Sequence, residues 1–383
     1  MTNFPIAEFE NQRTPFYFYD IELLRKTLDE IKRYSNYPGY HVHYAIKANV
    51  NPVILEEIRK AGLGVDCVSG GEVETALNAG FAANKIVFAG VGKSDWEIEL
   101  GLAHDIECFN VESLPELEVI QEIAARMGKV ARIALRVNPN IDAHTHHYIT
   151  TGLAENKFGI NLENLDEIID VAMTMPNVEL QGLHFHIGSQ ITINDPFKLL
   201  SERINELQAK YAEKGIRFKS INVGGGLGID YDNPNENEIS DFEGYFNTFN
   251  TYLKLNEGQE LHFELGRSIV GQCGSLITRV LYVKEGTEKK FAIVDAGFTE
   301  LIRPALYQAH HKIENLTSDG ELEKYDVVGP ICESSDCFGE DEMLPKMRRG
   351  DIIAIRSAGA YGEIMASQYN CRKLPKSFYS ESH

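Results

Sequence analysis

The chain has 383 residues and a formal net charge of −20, from 37 basic and 57 acidic side chains. This acidic balance argues against a nucleic-acid partner, because phosphate binding needs clustered lysine and arginine. No apolar run is long enough to span a bilayer, and the first residues lack the pattern of a signal peptide. We therefore expect a cytoplasmic protein with no membrane partner.

Strand-like apolar runs recur between residues 41 and 267. They are HVHYAIK, GLGVDCVS, KIVFAG, DIECFNV, ARIALRVNP, LQGLHFHIGS, SINVGGG and LHFELGR. Between most of them lie helical patterns such as NPVILEEIRKAG, with apolar residues at positions i, i+3 and i+4. The alternation predicts an α/β fold, a (β/α)8 TIM-like barrel. A doubly wound sheet is the second choice.

After RSIVGQCG the helical pattern largely stops. Runs such as SLITRVLYVKEG, KKFAIVDAG and RGDIIAIRSAGAYG predict strands separated by Gly and Asp. They indicate a C-terminal β-sandwich-like domain, to which we also assign the aromatic stretch TPFYFYD. The expected division is a barrel over residues 21–272 and a β domain formed by residues 1–20 and 273–383.

Polar residues share one face in several barrel strands. They include His43 and Lys47 in the first strand, His184 and His186 in the sixth, and His262 and Glu264 in the eighth. A barrel strand needs its apolar face toward the surrounding helices, so we expect the polar face to point inward. The C-terminal strand ends, where barrel enzymes keep their active sites, would then carry several of these groups.

This combination suggests pyridoxal phosphate as a cofactor. An amine such as that of Lys47 can form a Schiff base with its aldehyde, and a carboxylate such as Glu264 can pair with its pyridine nitrogen. The run VGGGLG offers backbone N–H groups for a phosphate, although alone it indicates a tight turn equally well. By strand position alone, Lys47 could simply extend its apolar stem to water.

A metal site is the alternative from another class of protein. Two imidazoles on one strand face, His184 and His186, can share an ion, which would fit a metal-dependent TIM-barrel hydrolase. Other ligands would have to come from HTHH, whose histidines are His144, His146 and His147. The six cysteines show no zinc-type spacing, so free thiols are expected.

An ordered series of motifs runs along nearly the whole chain. It consists of TPFYFYD, YAIKAN, GVDCVSGGE, LRVNP, KFGI, HFHIGSQI, NVGGGLGIDY, ELGRSIV, RPALYQA, CESSD and AGAYGEIMASQYN. In this series the chain resembles the diaminopimelate decarboxylase family, within the fold-type III group that also contains ornithine decarboxylase and alanine racemase. The resemblance implies a carboxy-lyase of lysine biosynthesis that converts meso-2,6-diaminopimelate to L-lysine and CO2 with pyridoxal 5'-phosphate.

The resemblance also implies roles for individual residues. The cofactor-binding residues would be Lys47, His186, Ser189, Gly226, Glu264, Gly266, Arg267 and Tyr361. The substrate-binding residues would be Arg267, Arg303, Tyr307, Glu333 and Tyr361. The catalytic residues would be Lys47, His186, Glu264 and Cys332. Lys47 would bond to the cofactor aldehyde, His186 would stack on its ring, and Cys332 would donate a proton.

Family members are head-to-tail homodimers with shared active sites, so Cys332 and Glu333 would act in the partner's site. Arg303 would hold a distal carboxylate, which disfavours the sister decarboxylases of ornithine, arginine or carboxynorspermidine, our second hypothesis. A non-catalytic cofactor-binding homologue is the third. The chain departs from the family where Leu265 replaces a usual proline and Ser335 a usual glycine, which puts fine substrate geometry in doubt.

Overall fold

A computed structural model of the protein describes residues 4–141 and 157–381. Its strands are β1 (Phe16–Tyr19), β2 (Tyr40–Ala45), β3 (Gly64–Cys67), β4 (Ile86–Phe88), β5 (Cys108–Val111), β6 (Ala131–Asn138), β7 (Ile160–Asn161), β8 (Val178–His184), β9 (Ser220–Asn222), β10 (Glu260–Leu265), β11 (Gly274–Glu285), β12 (Lys290–Val294), β13 (Ile313–Asn315), β14 (Leu322–Val328), β15 (Cys337–Pro345), β16 (Ile352–Ile355) and β17 (Lys376–Tyr379). Its α-helices are α1 (Ile6–Phe9), α2 (Ile21–Tyr34), α3 (Pro52–Lys60), α4 (Gly70–Asn78), α5 (Asp95–Ala103), α6 (Leu114–Met127), α7 (Leu162–Thr174), α8 (Asp195–Glu213), α9 (Phe242–Tyr252), α10 (Arg267–Val270) and α11 (Arg303–Tyr307).

Parallel strands close into a barrel. In sheet order, β5, β4, β3, β2, β10, β9, β8 and β6 are hydrogen-bonded neighbours, and β5 also pairs with β6. This last pairing closes the circle and excludes an open, doubly wound sheet. Each of the strand-like runs seen in the sequence supplies one barrel strand, so the predicted TIM-like barrel is confirmed. Strand β7 adds a short parallel extension beside β6.

The helices around the barrel carry their own start and stop signals, as α6 illustrates. The Ser113 side chain accepts the backbone N–H of Glu116, and the helix ends at Gly128, whose φ is +64°. Its buried residues recur at helical spacing and are Leu117, Ile120, Ile123 and Ala124. Each large aliphatic side chain buried in this way contributes about 1.5–3 kcal/mol.

The outward face of β10 shows why the polar face of a barrel strand points inward. Phe263 is fully buried and meets the rings of α9, with centroid distances of 5.8 Å to Tyr245, 5.0 Å to Phe246 and 5.4 Å to Phe249. Successive strand residues point to opposite faces. The next residue, Glu264, is therefore directed into the barrel.

A separate sheet combines β1 with the strands that follow β10. Its order is β13, β16, β11, β12, β14 and β15, and β1 pairs with both β11 and β17. Strand β1 runs antiparallel to β11 and parallel to β17. The predicted β domain is confirmed as a separate sheet, and the TPFYFYD stretch supplies one of its strands.

The described residues divide into two compact units. The barrel unit contains those of 28–228 and 241–266, and the sheet unit contains those of 1–27, 229–240 and 267–383. The domain limits expected from the sequence, with the barrel over 21–272, stay a prediction. No helix among the described residues is both long and apolar enough to cross a membrane.

Candidate active site

Glu264, near the C-terminal end of β10, is the centre of a hydrogen-bond network inside the barrel. Its Oε2 lies 2.9 Å from Nε2 of His184 on β8. Its Oε1 accepts from the side-chain amides of Asn110 on β5, at 3.1 Å, and Asn222 on β9, at 2.7 Å. Burial alone would raise the pKa of Glu264, but the charge and hydrogen bond of His184, together with Lys47, hold that pKa below its usual value. Glu264 is therefore an ionised carboxylate.

Lys47 lies just beyond β2, in a short 3-10 turn over Ile46–Ala48. Its Nζ is 3.8 Å from Oδ2 of Asp66 at the end of β3, and its side chain is 39% exposed. Burial, followed by the negative charge of Glu264, raises the pKa of Asp66 well above its usual value. Within the described part of the chain, Oδ1 of Asp66 is buried without a hydrogen-bond partner. A further polar group within hydrogen-bond distance would give this oxygen a partner.

His186 lies two residues beyond β8, beside the glycine run. Its Nδ1 accepts the backbone N–H of Gly225 at 3.3 Å. Burial, followed by the charges of Arg136 and Lys47, lowers the pKa of His186 well below its usual value. The ring is therefore neutral, with its proton on Nε2, and a flat neutral ring of this kind can pack against another planar group.

The glycine run is required where β8, β9 and β10 end close together. A Cβ on Gly225 would lie 2.0 Å from the carbonyl oxygen of Glu264. Gly226 has φ +114°, and a Cβ there would lie 2.8 Å from the carbonyl oxygen of Gly188. The backbone N–H of Ile191 donates to Gly226 at 2.8 Å, which joins the loop carrying Ser189 to the glycine loop.

Gly266 follows β10 and packs against the turn that carries Lys47. A Cβ on Gly266 would lie 3.1 Å from the Cβ of Ala45 and 3.4 Å from that of Ala48. Leu265, which stands where the family usually has proline, is fully buried at the end of the strand. The proline is therefore not needed to bring Gly266 close to the Lys47 turn.

Arg267 and Tyr361 lie together in the sheet unit. The guanidinium carbon of Arg267 is 5.0 Å from the ring centroid of Tyr361, and its Nη1 donates to the Tyr231 hydroxyl at 2.6 Å. Arg267 is buried. Tyr361 has φ +56°, a left-handed conformation that is uncommon for a bulky residue and concentrates at functional sites.

Arg303 and Tyr307 lie on α11 in the same unit. The guanidinium carbon of Arg303 is 5.8 Å from the Tyr307 ring centroid and 5.5 Å from that of Tyr231. Burial lowers the pKa of Arg303, and the charge of Arg267 adds to this effect. Tyr231 thus contacts both arginines, and two guanidinium groups held in this way suit a carboxylate or a phosphate.

Cys332 and Glu333 lie on an exposed loop between β14 and β15. The backbone N–H of Cys332 donates to Oδ1 of Asn370 at 3.5 Å, and Glu333 accepts from the Tyr369 hydroxyl at 2.8 Å. The buried carboxylate of Asp336 anchors the loop by accepting two backbone N–H groups. Ser335 is not among the described residues that have positive φ, so a serine is compatible with this backbone.

The predicted site residues thus form three groups. The barrel unit holds Lys47, His186, Ser189, Gly226, Glu264 and Gly266. The sheet unit holds Arg267, Arg303, Tyr307 and Tyr361 around Tyr231, and it holds Cys332 and Glu333 on the exposed loop.

His184, the last residue of β8, and His186, two residues beyond it, do not act as joint metal ligands. His184 is directed to Glu264, and Nδ1 of His186 faces Gly225. Among the residues that the structure describes, the metal-ligating side chains that converge are His43, Glu107 and His262. The HTHH histidines, His144, His146 and His147, lie outside the described residues. The metal-dependent hydrolase therefore gains no support from His184 and His186.

Sequence reasoning missed four residues that contact members of these groups. They are Asp66, Asn110, Asn222 and Tyr231. The first three are polar residues within or at the end of apolar barrel strands, a signal that could have identified them. Tyr231 gave no such signal, because its contacts are to arginines distant in the sequence.

The barrel group fits pyridoxal phosphate. It offers a primary amine, an ionised carboxylate fixed by three donors, a neutral imidazole, and a turn whose glycines cannot carry a side chain. An amine, a ring-nitrogen partner and a backbone phosphate loop are what this cofactor requires. Fold and site together define a barrel enzyme of the pyridoxal-phosphate class.

Known proteins share this fold and sequence. Residues 24–271 match the family model described as pyridoxal-dependent decarboxylase, pyridoxal binding domain. Diaminopimelate decarboxylase from Bacteroides thetaiotaomicron is 62% identical over 379 residues, which cover 99% of this chain and 98% of that protein. The structure of diaminopimelate decarboxylase from Helicobacter pylori complexed with L-lysine has a TM-score of 0.93 at 42% identity, covering 98% of this chain and 94% of that chain. The M. jannaschii enzyme in co-complex with L-lysine has a TM-score of 0.89 at 36% identity, covering 98% and 89%.

The chain therefore belongs to the diaminopimelate decarboxylase family of pyridoxal-dependent decarboxylases. As a member of this family it is a carboxy-lyase that uses pyridoxal phosphate.

Proposed function

We propose that this protein decarboxylates meso-2,6-diaminopimelate to L-lysine and CO2, a step of lysine biosynthesis. The observation that carries the proposal is the ionised Glu264, held by donors from three strands in the same barrel unit as Lys47. Two relatives of known structure were solved with L-lysine, the product of this reaction.

Five residues of the barrel unit would hold the cofactor with Lys47. Lys47 would supply the amine that bonds to it, Glu264 would keep its ring nitrogen protonated, and His186 would pack on its ring. Ser189, Gly226 and Gly266 would line its phosphate, together with Arg267 and Tyr361. When bound, pyridoxal phosphate accepts the electron pair that the departing carboxylate leaves behind.

Arginine and tyrosine side chains would bind the substrate. Arg303 and Tyr307 would hold the distal carboxylate, because a guanidinium offers it a fork of donors. Arg267 and Tyr361 would contribute beside them, and Glu333 would pair with the distal amine. A cationic pair of arginines disfavours a substrate whose far end is only an amine or a guanidinium, so ornithine and arginine are the second choice.

Cys332 would return a proton to the α-carbon in the active site of a second copy of the chain, so the working assembly would be a homodimer. Cys332 and Glu333 are exposed, whereas groups that move protons at a carbanion need protection from water. A partner barrel covering this loop would provide it.

The cytoplasm is the proposed location. All the cysteines are free thiols, two of them exposed on the surface, as expected for a reducing compartment. A biosynthetic carboxy-lyase would also find its substrate there.

The experiment that tests the function measures release of lysine and CO2 from meso-diaminopimelate by purified protein supplied with pyridoxal phosphate. Ornithine and arginine are tested in parallel, and Lys47→Ala is the control. We expect lysine from the native protein and loss of product in Lys47→Ala. Release of CO2 from ornithine or arginine only would move the assignment to a sister decarboxylase, and an inactive, colourless protein would refute the proposal.

A further inference from the structure

Arginine and tyrosine side chains alternate in a series inside the sheet unit. In spatial order its members are Tyr361, Arg267, Tyr231, Arg303 and Tyr307. From one end of the series to the other, the distances between guanidinium carbon and ring centroid are 5.0, 5.9, 5.5 and 5.8 Å. At these distances a ring attracts a cation. Tyr231 is the member that contacts both arginines, and the chemistry proposed above gives it no role.

Tyr231 meets the two arginines with different parts of its side chain. Its hydroxyl oxygen accepts a hydrogen bond from Nη1 of Arg267 at 2.6 Å. Its ring centroid lies 5.5 Å from the guanidinium carbon of Arg303. All three side chains are buried, where hydrogen bonds to a charged group and contacts between a cation and a ring are strongest. One tyrosine therefore fixes the positions of both guanidinium groups.

His311 restrains both Tyr231 and Arg303. Its ring packs edge-on against the Tyr231 ring, with a centroid distance of 5.1 Å and an interplanar angle of 82°. Its Nε2 accepts from Nε of Arg303 at 3.3 Å, and this is the hydrogen bond that the described part of the chain gives Arg303. Because Nε is taken, a carboxylate would bind across the two terminal nitrogens, Nη1 and Nη2.

The two guanidinium groups need such restraint because they carry like charges in a buried part of the sheet unit. Like charges repel, and burial strengthens the repulsion. Without the contacts of Tyr231, Arg267 and Arg303 would be free to move apart. A guanidinium recognises a carboxylate by the direction of its donors, so a change in its orientation weakens the recognition.

We propose that Tyr231 is a positioning residue that determines specificity for a substrate with a distal carboxylate. It holds Arg267 and Arg303 at a fixed separation, so that the terminal nitrogens of Arg303 face the carboxylate in the correct orientation. The inference rests on the proposed function, in which Arg303 binds that carboxylate. It adds the side chain that keeps the arginine in place.

The test compares two ligands that differ by one carboxylate. L-lysine, the proposed product, retains the distal carboxylate of diaminopimelate, whereas cadaverine has the same chain and both amines without it. Titration calorimetry of the holoenzyme gives a Kd for each ligand, and the ratio of cadaverine to lysine Kd reports recognition of the carboxylate. General loosening of the protein would weaken both ligands and leave the ratio unchanged. Arg303→Gln, which removes the guanidinium, gives the ratio for complete loss.

Tyr231→Leu removes the ring and the hydroxyl, so we expect the ratio to fall at least roughly tenfold, toward that of Arg303→Gln. Tyr231→Phe keeps the ring beside Arg303 and removes the hydrogen bond to Arg267, so we expect a fall of about threefold. If Tyr231→Leu does not fold, Tyr231→Phe alone decides the outcome. Tyr282→Leu is the matched control and should keep the native ratio, because it removes an exposed ring 5.0 Å from Arg349 in the same unit.

The possible outcomes separate this inference from the proposed function. A native ratio in the folded Tyr231 variants, with diaminopimelate still decarboxylated by the native protein, would refute the role of Tyr231 alone. A native holoenzyme that releases no lysine from diaminopimelate would overturn the proposed function, and this inference with it. A ratio that falls in the Tyr231 variants and not in Tyr282→Leu would establish the positioning role.

Discussion

Glu264 and Asp66 are two carboxyl groups in one barrel interior whose surroundings shift their pKa values in opposite directions. Donors from His184, Asn110 and Asn222 stabilise the anion of Glu264. Asp66 is buried, and the charge of Glu264 raises its pKa further. Neighbouring carboxyl groups separated in this way are able to take different roles at one pH. Here Glu264 is the fixed negative charge, and Asp66 is the group that holds a proton more readily.

Replacing Glu264 tests the role of that fixed charge. Glu264→Gln keeps the shape of the side chain but removes the anion, so we expect kcat for diaminopimelate to fall roughly 10²-fold or more. Steady-state kinetics measures the loss, and the visible absorption of the bound cofactor should shift with it. Glu179→Gln is the control, because Glu179 lies on β8 and its side chain forms an ion pair with Lys219 at the surface. A Glu264→Gln enzyme with native kcat would contradict the assignment.

His311 makes the sheet unit sensitive to acid. Its Nδ1 donates to the carbonyl oxygen of Arg356 at 2.9 Å, and its Nε2 accepts from Arg303 at 3.3 Å. Burial, followed by the charge of Arg303, lowers the pKa of His311 to about 3. In the unfolded chain its pKa is about 6.5, so between these values the unfolded state binds the extra proton.

The free energy of unfolding should therefore fall as pH drops below 6.5, with His311 contributing roughly 1.4 kcal/mol per pH unit until about pH 3. Denaturant unfolding at several pH values measures this slope. His311→Gln should reduce the slope by about one proton. His310→Gln, a substitution at the exposed neighbour, is the matched control with which the slope of His311→Gln is compared. Identical slopes in all three proteins would exclude His311 as the source.

At the scale of the elements, the close approach of β8, β9 and β10 is the most demanding feature of the barrel. Gly225→Ala would place a methyl group 2.0 Å from the Glu264 carbonyl oxygen, so the strand ends must separate. We expect a loss of stability of about 1–3 kcal/mol and a larger loss of cofactor affinity. Urea unfolding and cofactor titration measure the two effects. Gly92→Ala is the control, because its Cβ would meet no atom within 4 Å.

The elements also show what can be read from the sequence. The period-2 alternation identified the barrel strands, and the inward position of Glu264 followed from it. The alternation could not identify Asn110 and Asn222 as the hydrogen-bond partners of Glu264, because those contacts depend on the order of the strands around the barrel. It also missed Tyr231, since segment 229–240 follows a barrel strand in sequence but belongs to the sheet unit. Local sequence patterns show which face of a strand a side chain lies on, whereas the packing of distant segments decides which side chains it contacts.

At the scale of the whole molecule, the proposed homodimer makes a quantitative prediction. In a homodimer made only of Lys47→Ala chains, or only of Cys332→Ala chains, both active sites would be inactive. If each site combines Lys47 of one subunit with Cys332 of the other, random reassociation of an equal mixture should restore about a quarter of native activity, because half of the dimers contain one intact site of two.

The matched control mixes Lys47→Ala with Glu264→Gln. Both residues lie in the barrel unit, so no exchanged dimer would contain an intact site and no activity should return. Recovery in the control, or none in the test mixture, would show that the sites are not shared as proposed. Light scattering of the native protein measures the assembly directly.

The position of β1 has a consequence for synthesis of the chain on the ribosome. Phe16 pairs with Ile277 and with Lys376, so this strand is translated early and its partners late. The whole barrel unit is translated in between. Domains usually fold in the order in which they emerge. Here the nascent chain must complete the barrel while β1 is still without its partners, and the sheet that contains the first strand is the last part of the protein to be finished.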